Sequence, residues 1–117
     1  MKPVIKPLCS ALFAIGLATA ASAHSKTMAY FPEDGSTVTE LSKITMQFDD
    51  PMRIISVAMT CDGEDTALSR ETGTDPVTEF VASPGAALMP GDYMVEWRGM
   101  SSDGHPMTGS FTFTLTE

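Results

Sequence analysis

Cysteine, histidine and basic side chains are all scarce in this chain, and each scarcity excludes something. The two cysteines are Cys9 and Cys61. Cys9 falls in an N-terminal stretch that reads as a leader, so Cys61 alone would remain and no intramolecular disulfide can staple the fold. Lysine and arginine number 7 against 15 acidic residues. That balance disfavours nucleic acid and anionic lipid as partners, because binding either draws on positive charge. The two histidines are His24 and His105, so any imidazole chemistry must use one or both. No long hydrophobic run follows the N-terminal stretch, and a chain relieved of that stretch is not expected to be embedded in a membrane.

The stretch itself has the three parts of an export signal. Lys2 and Lys6 supply positive charge, Leu8 to Ala20 is an apolar run too short to span a bilayer, and Ala21-Ser22-Ala23 offers a small-residue cleavage site. Cys9 stands at the very start of the apolar run, too early for a lipid-attachment cysteine at a cleavage site. Residues 1–23 are therefore read as a signal peptide and His24 as the first mature residue, although Ala18-Thr19-Ala20 is a second small-residue site. Removing 23 of 117 residues leaves 94, enough for a single domain, 24–117. Removing Lys2 and Lys6 leaves five basic against 15 acidic side chains, a formal charge of −10. Most of those carboxylates read as a solvated surface.

Period-two alternation dominates the remainder and no helical period competes with it. Ile44, Met46 and Phe48 fall in phase, as do Ile55, Val57 and Met59, then Tyr93, Val95 and Trp97, then Phe111, Phe113 and Leu115. Turn residues separate the runs at Pro32 to Gly35, Asp62-Gly63, Ser83-Pro84-Gly85 and Pro90-Gly91. The span from Asp62 to Thr78 is polar and turn-rich, with room for a hairpin or loop and one edge strand. Many short strands in under 100 residues predict an all-β, single-domain Greek-key sandwich with antiparallel sheets. Met46 and Met59 are in phase with apolar faces and read as core. The acidic cluster Asp62-Gly63-Glu64-Asp65 lacks the spaced ligands of a helix-flanked calcium loop and reads as a hairpin turn.

The histidines carry the chemistry. A histidine at position one offers its α-amine and ring Nδ1 to the same ion, and His105 adds a third nitrogen. Copper(II) favours tetragonal nitrogen and oxygen donors and heads the divalent affinity order. Asp103 and His105 are two residues apart, so on an extended backbone both side chains point the same way. Pro106 biases His105 towards extended dihedrals, and Gly104 removes bulk between them. The competing reading is a plain loop, with Asp103-Gly104 as a turn and His105 solvated. Asp50 and Glu96 are candidates for fixing a histidine tautomer, with a plain surface carboxylate the competing reading of each. Cys61 could be a soft metal ligand, a reactive thiol or a small strand residue, and since free cysteine is so often simply buried it reads as the last.

Three segments, Gly91-Asp92-Tyr93-Met94-Val95-Glu96-Trp97-Arg98, Ser101-Ser102-Asp103-Gly104-His105-Pro106 and Gly109-Ser110-Phe111-Thr112-Phe113, together resemble the C-terminal signature of the CopC family of bacterial copper-resistance proteins. His24, the Pro32-Glu33-Asp34-Gly35-Ser36 turn and Phe48-Asp49-Asp50 also sit where that family carries like residues. The resemblance implies an Ig-like β-sandwich, a periplasmic location, and one copper(II) per chain held by His24, Asp103 and His105. It implies a carrier or buffer rather than an enzyme, with a CopD-like inner-membrane copper transporter as partner. Some members add a methionine-rich copper(I) loop. Here the corresponding region, 56–78, offers only Met59 and Cys61. Two other classes share features with this one. A copper-dependent polysaccharide oxygenase also uses a terminal histidine, but would need an aromatic carbohydrate-binding face, and Tyr93 and Trp97 are in phase with the core. A metal-free Ig-like interaction module would need no histidine pair at all.

Overall fold

The computed structural model describes residues 28–117 and contains eight strands and no helix among them. They are β1 (Met28–Phe31), β2 (Ser36–Val38), β3 (Ile44–Cys61), β4 (Glu64–Thr66), β5 (Leu68–Arg70), β6 (Val77–Pro84), β7 (Gly91–Ser101) and β8 (Pro106–Leu115). One hydrogen-bonded path runs β2-β8-β7-β3-β6-β5, with β1 and β4 both added to β3. The path curls because β3 serves two layers. Its first part, Ile44 to Gln47, pairs with β1 and β6. Its last part, Ser56 to Cys61, pairs with β7, and Met59 to Cys61 also pair with β4. A strand that changes layer needs a corner, and corners are made by bulges. The register of β3 shifts between Gln47 and Met52 and again between Ile54 and Ser56. Met52 is the pivot, opposite Val77 of β6 and Ser101 of β7.

The layers meet through the residues that the alternation singles out. Ile44, Met46, Phe48, Met59, Tyr93, Val95, Trp97, Phe111, Phe113 and Leu115 are all buried, and among the described residues no polar residue is buried with them. Tyr30 of β1 stacks on Phe111 of β8 at 4.4 Å, and Phe48 of β3 meets the Trp97 ring edge-on at 5.4 Å. These contacts join one layer to the other and make the all-β sandwich. Ile55 departs from the expected phase and is 52% exposed, while Ile54 is buried in its place. The bulge beside it inserts one residue and reverses the parity of everything upstream. β2 departs too, pairing in parallel with Phe113 to Leu115 of β8. The polar span after Asp62 forms the β3–β4 hairpin and then the short edge strand β5.

The bulge is fastened from outside by one side chain. Arg70 of β5 donates to the backbone carbonyls of Ile54 (2.8 Å), Gly73 (2.9 Å) and Thr72 (3.2 Å). Its guanidinium also lies 5.0 Å from the Phe80 ring centroid, within cation–π range. Charge-assisted bonds are individually the stronger class, and a planar fork can reach several carbonyls at once. Arg70→Ala is expected to lower stability by about 2–3 kcal/mol in urea unfolding, with Arg70→Lys recovering less than half of that. A lysine variant as stable as the parent would show that the fork is not what holds the bulge.

Candidate metal centre

The site grows from the hairpin between β7 and β8. Ser101 N donates to His105 O and Gly104 N donates to Ser101 O, both at 2.9 Å, closing the three-residue loop Ser102-Asp103-Gly104. Such a loop needs its last residue in the left-handed region, and Gly104 has φ of 89°. The backbone is therefore a tight turn, and the extended geometry expected from the two-residue spacing is not what brings the side chains together. The turn does so instead. His105 Nδ1 lies 3.1 Å from Asp103 Oδ1, with both side chains about seven-tenths exposed. The Ser101 hydroxyl donates to the same Asp103 Oδ1 and accepts from His105 N at 3.2 Å. The Ser101 hydroxyl first, and the His105 ring second, hold the Asp103 carboxyl down at about 2.

The β3 corner completes the surroundings. Because Met52 stands opposite Ser101, residues Asp50, Pro51 and Met52 form one wall of an opening of about 600 Å³ whose other wall carries Ser101, Asp103 and His105. Of the two carboxylates considered for tautomer control, Asp50 lines this opening. Glu96 lies farther along β7, opposite Ala58 and Ser110, and does not. A larger opening of about 690 Å³ lies elsewhere, around Tyr30, Phe31, Pro32 and Val38, and among the described residues Glu33 is its only carboxylate and no histidine lines it.

The register also settles the thiol. Cys61 pairs with Tyr93, eight residues along β7 from Ser101, which is about 25 Å at the rise of a strand. It is half-buried beside Asp62 and cannot share an ion with Asp103 and His105. Met46 and Met59 are core residues, as expected. His24 and the signal-peptide residues 1–23 lie outside the described residues. Among the described residues, no three His, Cys, Asp or Glu side chains are grouped to hold a metal. What the hairpin presents is one imidazole and one ionised carboxylate, a nitrogen and oxygen pair suited to copper(II). His105 Nδ1 and Asp103 Oδ1 stand side by side at 3.1 Å, a separation that suits two neighbouring donors to one ion. Sequence reasoning gave Ser101 no role, although it heads the Ser101–Pro106 segment and carries a hydroxyl immediately before the turn.

Comparison with known proteins follows the same lines. The family model described as the CopC domain matches residues 28–116. A protein of Pseudomonas syringae pv. tomato named copper resistance protein C is 34% identical, the alignment covering 89% of this chain and 91% of that protein. A protein of the same name from Escherichia coli is 31% identical, covering 86% and 88%. The crystal structure of the methionine-rich copper resistance protein PcoC from Escherichia coli superposes with a TM-score of 0.63 at 31% identity, over 75% of this chain and 94% of that one. That of CopC from Methylosinus trichosporium OB3b gives 0.63 at 21% identity, over 74% and 87%, a likeness of fold.

Proposed function

The chain belongs to the CopC family, and from that premise we propose that it is a periplasmic copper(II) carrier or buffer serving copper resistance, which binds one ion per chain and catalyses no reaction. The proposed ligands are His24, through its α-amine and ring, with Asp103 and His105. The observation that carries this reading is the Asp103–His105 pair, held at 3.1 Å in a tight hairpin beside the β3 corner. Asp50, in the wall of the opening beside Asp103 and His105, would be placed to orient a histidine ring. The excess of acidic side chains favours a cation nearby. Handing copper to a CopD-like inner-membrane transporter fits a carrier of this kind.

The test is a copper(II) titration of the exported protein followed by paramagnetic resonance. One equivalent should bind with a tetragonal spectrum of mixed nitrogen and oxygen ligation. Cys61→Ser should leave the affinity within a few-fold, since the thiol is some 25 Å from the site at the rise of a strand. A spectrum dominated by thiolate, or a large loss in the serine variant, would overturn the ligand set.

A further inference from the structure

We infer that Ser101 is a positioning residue for this centre, its hydroxyl setting the Asp103 carboxylate and the His105 ring in their binding arrangement before an ion arrives; the inference rests on the copper reading above. A hydroxyl has one proton to give and two lone pairs to share. In Ser101 the proton goes to Asp103 Oδ1 and a lone pair receives the His105 N–H. The same Oδ1 faces His105 Nδ1. One side chain thus fixes the carboxylate, and through it the ring, so that the two donors stand side by side.

Two further observations separate this role from a merely structural one. Asp103 and His105 are largely exposed, and among the described residues the hydrogen bonds and ion pair that restrain their side chains are the ones just described, so without the hydroxyl Asp103 would sample its staggered rotamers and the ring would lose its anchor. Ordering them would then fall to the ion. The loop itself does not depend on the hydroxyl. It is closed by main-chain bonds, Gly104 N to Ser101 O and Ser101 N to His105 O, and Ser101 is also held in register with Met52 and at the end of β7. Those bonds survive removal of Oγ. The serine is a rigid post, and its hydroxyl acts on the two ligands rather than on the fold.

The experiment compares wild type, Ser101→Ala, Ser101→Thr and His105→Ala, each purified after export, by competition titration with copper(II), paramagnetic resonance and thermal melting. Ser101→Ala should lose about 10–100-fold in copper(II) affinity, the usual cost of removing an outer partner of a ligand. Its copper spectrum should broaden as the donors sample several arrangements, and its melting temperature should stay within about 4 °C of wild type. Ser101→Thr, which keeps the hydroxyl, should return the affinity to within a few-fold and restore the sharp spectrum. Unchanged affinity and spectrum in Ser101→Ala would overturn the inference while leaving the copper site standing. So would a threonine variant as impaired as the alanine one. A wild type without copper(II) affinity, or a His105→Ala protein that binds as tightly as wild type, would overturn the copper reading and this inference with it.

Discussion

Trp97→Ala is expected to lower folding stability by about 3–5 kcal/mol, the range for deleting a buried large aromatic. Trp97 is 1% exposed and stands where the two layers meet. Phe48 packs edge-on against its ring, and its Nε1 donates to the Tyr30 hydroxyl at 3.2 Å. Tyr30 in turn stacks on Phe111, so the indole anchors a chain of aromatic contacts across the sandwich. On the other side lies Gly109, its cross-strand partner in β8. A Cβ there would come within 2.7–2.8 Å of indole atoms, so the ring covers the glycine backbone directly. Removing the indole would therefore leave a cavity bordered by rigid backbone that cannot close over it. Small domains hold about 5–15 kcal/mol in total, so the variant would keep a fraction of that, and its melting temperature should fall by at least about 12 °C. Urea and thermal unfolding measure both. A change below about 1 kcal/mol would mean that the indole does not fill the interlayer space.

Trp97 also shows why part of this fold is legible in the sequence and part is not. Its strand and β8 alternate over long, uninterrupted stretches, so the buried face of each is written in residue types alone. β3 is longer still, but it changes layer, and its bulges leave no mark in composition; nothing about Ile54-Ile55 says which of the two faces inward. The three residues of β2 are too few to carry a period, and beside their parallel pairing with β8 the Asp34 carboxylate accepts from Thr112 N at 2.9 Å, a long-range contact. At the site, Asp103 and His105 are recognisable because few other residue types bind copper(II). Their geometry is not, since a two-residue spacing serves a strand and a turn equally well and the left-handed Gly104 selects the turn. The separation of Cys61 from the pair is a matter of register, which a single sequence leaves open. His24 is a proposal that rests on the leader and on the chelating chemistry of a terminal histidine.

His105→Ala should do the reverse of Trp97→Ala, removing the function and sparing the fold. The side chain is 74% exposed in a turn closed by main-chain bonds, so stability should change by no more than about 0.5 kcal/mol, the usual range for surface substitutions. Copper(II) affinity should fall by more than about a hundredfold, beyond the cost of losing an outer partner, because a direct nitrogen donor is gone. The pH dependence sharpens the test. Asp103 is held at about 2, so its carboxylate is already ionised throughout the range from pH 4 to 8 and releases no proton when copper binds. Competition in that range comes from nitrogen donors alone. Ordinary imidazoles and α-amines take up protons below about 6.5 and 7.7–8.0, so affinity should drop as pH falls, by about tenfold per pH unit for each nitrogen that must first lose a proton. The wild type should lose affinity with a slope steeper by one nitrogen than His105→Ala does at pH 4–6, and the two curves should converge at low pH. Parallel curves would show that His105 is not a ligand. A further bend in the wild-type curve near pH 4 would show that Asp103 titrates as an ordinary carboxylate, released from the hydrogen bonds of the turn.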